Sequence, residues 1–161
     1  MGEALPPIDR FAGEHAWLSN MHPCSCPHEG KVFASSEHLY QWLKTAPGWW
    51  QDRIFGAEHG KVAKALAANP KCPKAPFTGT WDDRRLELME IALRSKFGHN
   101  ADLRQKLIDT DPSQLIEGNY WHDQFYGVCS CRKCEGMGQN QLGQLLMKLR
   151  AEYIAALSQA A

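Results

Sequence analysis

TWDDRRLELMEIALRSKFG, Thr80 to Gly98, reads as a single core helix. Thr80 with Asp83 resembles a capping box, in which the hydroxyl takes up an amide of the first turn. Leu86, Met89, Leu93 and Phe97 recur at spacings of three and four, so they share one face of a helix over 81–97 that ends at Gly98. Working toward the C-terminus, Asn100 can cap a helix over 101–109 with Leu103 and Leu107 inward, and Leu115-Ile116-Glu117 suits a short strand. A last helix over 139–159 is defined by the stripe Leu142, Leu145, Leu146, Leu149, Tyr153 and Leu157.

Toward the N-terminus, Pro70, Pro73 and Pro76 make a loop, preceded by two short helices over 51–57 and 59–68 that break at Gly60. Ser35 or Ser36 offers an N-cap, Glu37 suits the positive end of a helix dipole, and Pro47 stops the helix 37–45. The opening, Phe11 to Val32, has turn signals at His22-Pro23 and His28-Glu29-Gly30 around Cys24-Ser25-Cys26, which reads as loop and short strand. The expected fold class is α+β, mainly helical, a single domain over 1–161 with a few short strands and no internal repeat.

The 161 residues suffice for one ordinary core, since a chain of this size buries roughly two thirds of its unfolded surface. Eighteen basic residues balance eighteen acidic ones, so there is no long-range field to gather polyanions. A local cluster, Lys61, Lys64, Lys71 and Lys74, can still hold a few phosphates, although a solvated face is the commoner meaning of such a run. No stretch approaches the ~18 consecutive apolar residues of a membrane span, and Met1 to Pro7 has neither a basic nor an apolar leader segment. The expectation is a cytoplasmic protein without membrane partners, whose cysteines are thiols or metal ligands.

Three stretches can carry chemistry. Glu37, Gln41 and Lys44 fall at i, i+4 and i+7, so a carboxylate, an amide and an amine share one helical stripe. The run from Asn119 to Gly127 mixes aromatic, polar and glycine residues, as loops at the edge of a site do. Cys129-x-Cys131-x2-Cys134 places three thiols within six residues. Each has a plain alternative: two solvated charges, an Asp123 that caps a turn, and free thiols.

The sequence also resembles the NADAR (YbiA-like) N-glycosidase family. The resemblance lies in Trp17-Leu18-Ser19-Asn20, Ser36-Glu37-His38-Leu39-Tyr40-Gln41 with Lys44, Lys96-Phe97 with Asn100, Leu115-Ile116-Glu117, Asp123 to Gly127, and Gly138-Gln139-Asn140-Gln141-Leu142-Gly143 ahead of Leu146 to Arg150. These blocks occur in the family's order over about residues 11–150. The resemblance implies a helical fold and hydrolysis of the bond between C1 of a phosphorylated ribose and a base amine. Two substrate classes follow: ADP-ribose on guanine in nucleic acid, the favoured one, and the ribosylamino-pyrimidinone phosphates of riboflavin synthesis. The first makes DNA a candidate modified substrate and an ADP-ribosyltransferase toxin a candidate genetic counterpart. A binding module for ADP-ribose or NAD derivatives, without turnover, is the reading from another class.

Both substrates contain an aminal, which can open to an imine that an uncharged lysine exchanges into a protein Schiff base. Lys44 is the expected nucleophile, and Glu37 and Asp123 the acid/base pair; direct attack of water activated by a carboxylate is the alternative route. For Lys44 to act, its pKa must fall from about 10.4 toward ~7 to 8, which a charged Glu37 opposes and a protonated Glu37 permits. Carried over by motif position, Asn20, His38, Gln41, Gly127 and Asn140 are expected to hold the ribose or base edge. Trp81 and Tyr126 are expected to stack on the base, and Arg150 to meet a phosphate. Tyr126 departs from the tryptophan expected before the glycine, which bears on base specificity. Catalysis needs no cofactor in this reading. A structural zinc is expected on Cys24, Cys129, Cys131 and Cys134, with Cys26 as alternate ligand, pinning the 127–137 loop to the N-terminal segment. Cys72 would be a bystander.

Overall fold

In the computed structural model, Ser35 resolves which serine caps the first α-helix: its backbone is extended and its side chain accepts from the His38 amide. Helix α1 then runs Ser36–Leu43. The structure describes residues 5–161; Met1 to Ala4, part of the stretch read for a leader, lie outside the described residues. The chain divides into two compact units, one from Asn20 to Ala101 and one formed by the two ends, up to Ser19 and from Asp102.

The unit 20–101 opens with an antiparallel hairpin of β1 (Cys26–His28) and β2 (Lys31–Phe33), in the register Cys26 opposite Phe33. After α1 come α2 (Trp49–Phe55), α3 (Gly60–Ala68) and the long α4 (Trp81–His99). The expected capping box at α4 is half present: Thr80 Oγ1 accepts from the Asp83 amide at 3.1 Å. The α4 face is set by Leu88, Met89, Ala92, Leu93 and Phe97, whereas Leu86 is only half-buried. Ile54, Ala63, Ala67 and Cys72 form a small cluster under Trp42 and Trp50. Gly60 lets α3 approach α1, because a Cβ there would lie 2.8 Å from Met21 Sδ and 3.2 Å from Glu37 Cβ.

The unit made by the ends holds a 3₁₀ turn (Gly13–Leu18), α5 (Ala101–Asp109, all but its first residue), β3 (Gly118–Asn119), β4 (Val128–Cys129) and α6 (Gln141–Ala160). β3 and β4 pair in parallel over two residues. The strand expected at Leu115–Glu117 is reduced to one parallel bridge, Ile8 with Leu115. Leu142, Leu146 and Leu149 of α6 are buried, but Leu157 is exposed, so the buried stripe is shorter than its spacing suggests. Helices dominate and strands are two or three residues long, as an α+β, mainly helical reading requires. No helix among the described residues is long and apolar enough to cross a membrane.

Candidate active site

Helix α1 is anchored at its first turn before it presents any functional group. The Glu37 amide donates to the Asn20 carbonyl at 3.0 Å, and Ser36 Oγ donates to Asn20 Oδ1 at 2.9 Å. With Asn20 Nδ2 directed at Met89 Sδ, 3.2 Å away, both ends of this amide are engaged inside the protein. Asn20 thus clamps α1 from inside the protein. His38 is held in a similar way. It is buried, Nε2 donates to the Ala57 carbonyl at 3.0 Å, and Nδ1 pairs with Ser35 Oγ at 2.7 Å, which leaves neither ring nitrogen for a substrate.

The stripe Glu37, Gln41, Lys44 is continuous in space. Gln41 Nε2 donates to Glu37 Oε1 at 2.6 Å, and Lys44 Nζ donates to Gln41 Oε1 at 2.9 Å. Glu37 and Gln41 are buried. Burial pushes the Glu37 carboxyl above its ordinary range, outweighing the Gln41 hydrogen bond and the nearby charges of Lys64 and Lys44. Burial also lowers the Lys44 amine to about 8; Lys74, and less strongly Lys64 and Arg85, push the same way against Glu37. Aromatic faces flank the amine, with Lys44 Nζ 4.8 Å from the Tyr40 ring centre and 6.0 Å from that of Trp81.

Trp81 is thus beside Lys44, and it packs on Phe77 at 5.3 Å. Tyr40 and Arg85 were not singled out from the sequence. Tyr40 lies one residue before Gln41, and Arg85 one helical turn beyond Trp81, which is the only signal either gives. All four lysines of the cluster are exposed, and the charges of Lys64 and Lys74 act on this site.

Asp123, Tyr126, Gly127 and Asn140 belong to the other unit. Asp123 Oδ1 accepts from the amides of Phe125 at 3.1 Å and Tyr126 at 2.9 Å, so one carboxylate oxygen closes a turn. Tyr126 is half-buried, edge-on to Phe125. Gly127 is buried for backbone contact: a Cβ there would fall 2.2 Å from the Glu117 carbonyl oxygen. Asn140 Oδ1 accepts from the Glu117 amide at 3.0 Å and Nδ2 donates to the Leu115 carbonyl at 2.9 Å. Gly127 and Asn140 thus both hold backbone in place here. Arg150, expected at a phosphate, is buried and donates to Thr110 Oγ1 and the Ser113 carbonyl.

The thiols separate into two groups. Cys24 and Cys26 lie 3.7 Å apart, sulfur to sulfur, and the Cys24 contact together with burial holds the Cys26 thiol far above its ordinary range. Cys129, Cys131 and Cys134 converge instead with His122, their donor atoms all within 4.8 Å of one another. His122, not singled out from the sequence as a ligand, is the fourth donor-bearing side chain in that group.

A profile of the NADAR domain matches residues 9–153. The chain belongs to the NADAR domain family. Among its relatives, a riboflavin biosynthesis protein of Vibrio vulnificus is 33% identical over 138 residues, 86% of this chain and 35% of that protein. N-glycosidase YbiA of Escherichia coli is 30% identical over 128 residues, 77% of this chain and 72% of YbiA. The solved structure of the E. coli protein YbiA superposes with a TM-score of 0.79 at 26% identity, over 98% of this chain and 88% of that one. The chain thus spans about a third of the Vibrio protein and most of YbiA. Glu37 and Gln41 lie on α1, and Lys44 is the residue at its C-cap.

Proposed function

We propose that the protein is an N-glycosidase that hydrolyses the C1–N bond between a phosphorylated ribose and a base amine, using Lys44 as nucleophile and Glu37 as proton donor. Relatives named as N-glycosidases put this NADAR protein among the hydrolases. The observation that supports the assignment of roles is the amide bridge of Gln41 between a carboxyl raised by burial and an amine lowered to about 8. Both shifts favour the neutral pair, carboxylic acid and free amine, over the ion pair.

In the proposed reaction the ribose ring opens first: the C1–O bond breaks, the ring oxygen takes a proton from Glu37, and the base nitrogen forms a protonated imine with C1. Lys44 Nζ adds to C1, and the base nitrogen leaves with a proton, so that a lysine imine replaces the base imine. Water then adds to C1 and releases the sugar aldehyde and the Lys44 amine. The net change is addition of one water across the C1–N bond. Gln41 serves by accepting from Lys44, which orients the amine while leaving its lone pair outside that hydrogen bond. Asp123, with one oxygen closing a turn, is assigned no step.

ADP-ribosyl-guanine is the favoured substrate in this reading, because Lys64, Lys74 and Arg85 supply more cationic charge around Lys44 than one phosphate needs. The Vibrio and plant relatives named for riboflavin biosynthesis favour a second reading, a ribosylamino-pyrimidinone phosphate. Borohydride trapping with each substrate, followed by intact mass, tests both. An adduct of the sugar's mass, absent in Lys44→Ala, is the expected result. Turnover without an adduct would move the reaction to direct attack of water, and no turnover of either substrate would favour a binding module.

A further inference from the structure

The segment 120–139 lacks a core of ordinary kind. Between Ser130 and Gln139 every residue is exposed except Cys134, which is buried, and Cys131, which is half-buried; even Met137 is 65% exposed. Regular pairing is confined to two residues of β3 and β4 and one bridge from Cys129 to Met137. Apolar burial therefore does not account for the order of this loop. What gathers there is polar: Cys129 and Cys134, both buried, and the half-buried Cys131 converge with the exposed His122.

We propose that His122, Cys129, Cys131 and Cys134 bind one zinc ion, and that this ion is the core of the loop. His122 Nδ1 stands 3.3 Å from Cys131 Sγ and 3.4 Å from Cys134 Sγ. A tetrahedral zinc with sulfur and nitrogen ligands has ligand-to-ligand edges of about 3.5 to 3.8 Å. Only a small contraction separates the widest pair, within 4.8 Å, from that geometry. The backbone is already arranged for it: the Cys134 and Glu135 amides donate to the Cys131 carbonyl, and the Gly136 amide to the Cys129 carbonyl, which folds the Cys131–Cys134 turn tightly. The His122 amide donates to Cys129 Sγ at 3.3 Å, an outer-shell contact that supports a thiolate.

His122 is in the left-handed backbone region, with φ of 67°, a conformation costly for a residue with a Cβ unless something fixes it. A metal bond to Nδ1 supplies that constraint. Three thiolates and an imidazole suit zinc over magnesium or calcium, and four protein ligands leave no open position, so the role is structural. Because His122 is followed by Asp123, the ion fixes the start of the turn that Asp123 closes onto Phe125 and Tyr126.

The full chain, purified without chelators, is analysed for metal by inductively coupled plasma mass spectrometry, and its zinc is then exchanged for cobalt(II). The expected result is one zinc per chain and a cobalt spectrum with thiolate charge-transfer and tetrahedral d–d bands. Cys131→Ser and His122→Ala weaken zinc retention against a competing chelator by about tenfold or more, His122→Cys keeps the metal with a shifted d–d band, and Cys24→Ser and Cys26→Ser change nothing. Zinc removal is expected to abolish hydrogen-exchange protection across 119–139 while α1 and α4 stay protected. A chain that holds no zinc and takes up no cobalt overturns the proposal. So does a chain whose metal is lost in Cys24→Ser but kept in His122→Ala.

Discussion

Gln41 donates to Glu37 at 2.6 Å, and its own carbonyl oxygen is taken up by Lys44 at 2.9 Å, so one amide spans the carboxyl in the first turn of α1 and the amine at its C-cap. An amide can do this because it is donor at one end and acceptor at the other, and it adds no charge that would bias either pKa through Coulomb forces. Gln41→Leu removes both contacts and leaves the buried carboxyl without its donor. The expected outcome is a fall in kcat of about 10²-fold with a loss of about 1 to 2 kcal/mol in stability, read by steady-state kinetics and thermal melting. Gln41→Glu adds a carboxylate beside the amine and is expected to move the Lys44 ionisation upward in the pH–rate profile.

Lys44 should cost stability as well as supply chemistry. Its amine, lowered to about 8 by burial and by Lys74, binds fewer protons in the folded than in the unfolded chain between about 8 and 10.5. Stability contributed by this site therefore rises with pH through that window, and the cost is full below it. Lys44→Met, which keeps the stem packing on Tyr40 and Trp81, is expected to abolish borohydride trapping and turnover. It should also raise stability at neutral pH by about 1 kcal/mol, or ~3 °C in melting temperature. The gain should shrink between pH 8 and 10.5, which melting curves across that range will show.

The pH dependence of kcat/KM should be bell-shaped, since the reactive form needs Lys44 free and Glu37 protonated. Glu37→Gln removes one of the two ionisations. The remaining profile is expected to rise once, near or slightly below 8 because the charge that opposed amine deprotonation is gone, and then to stay level, at a much reduced rate. A profile of Glu37→Gln that keeps its alkaline descent would assign that limb to another group.

What could be read from the sequence was the part written in local periodicity. Ser35 and Thr80 mark helix starts, and the four-residue spacing of Glu37 and Gln41 places the amide where it meets the carboxyl; Asn100, read as the cap of α5, instead donates to the Lys96 and Ser25 carbonyls at the end of α4. The duties of buried polar side chains were not legible. Asn20, His38 and Asn140 sit in motif blocks beside the site, yet each spends its hydrogen bonds on backbone or neighbouring side chains; an amide that clamps a loop and one that holds a ribose look alike in sequence. The approach of His122 to the thiols was not legible, because Cys24-Ser25-Cys26 repeats the cysteine spacing of Cys129-Ser130-Cys131, whereas the imidazole comes near them only through a left-handed turn. Arg85 carries no motif and matters through its charge near Lys44.

Arg85 separates phosphate recognition from catalysis. It pairs with Asp82 at 2.6 Å and its charge acts on Lys44. Arg85→Ala is expected to raise KM for a phosphorylated substrate about tenfold, as loss of one charge-assisted contact does, and to leave a dephosphorylated nucleoside analogue almost unaffected. A small upward shift of the Lys44 ionisation should accompany it. Equal losses on both substrates would remove Arg85 from phosphate recognition.

Asn140 tests whether the second unit's amide is a clamp or a ligand. It adopts φ of 53°, a conformation asparagine tolerates better than alanine, and it joins the Glu117 amide to the Leu115 carbonyl ahead of α6. Asn140→Ala strands both backbone groups and adds left-handed strain, so the expected loss is about 2 to 3 kcal/mol, or roughly 5 to 10 °C in melting temperature. Asn140→Asp still accepts from Glu117 but cannot donate to Leu115, and should lie between. Under conditions where each variant is folded, KM should match the wild type. A rise in KM at unchanged melting temperature would instead return Asn140 to the substrate, because a residue that only holds backbone cannot change binding without changing stability.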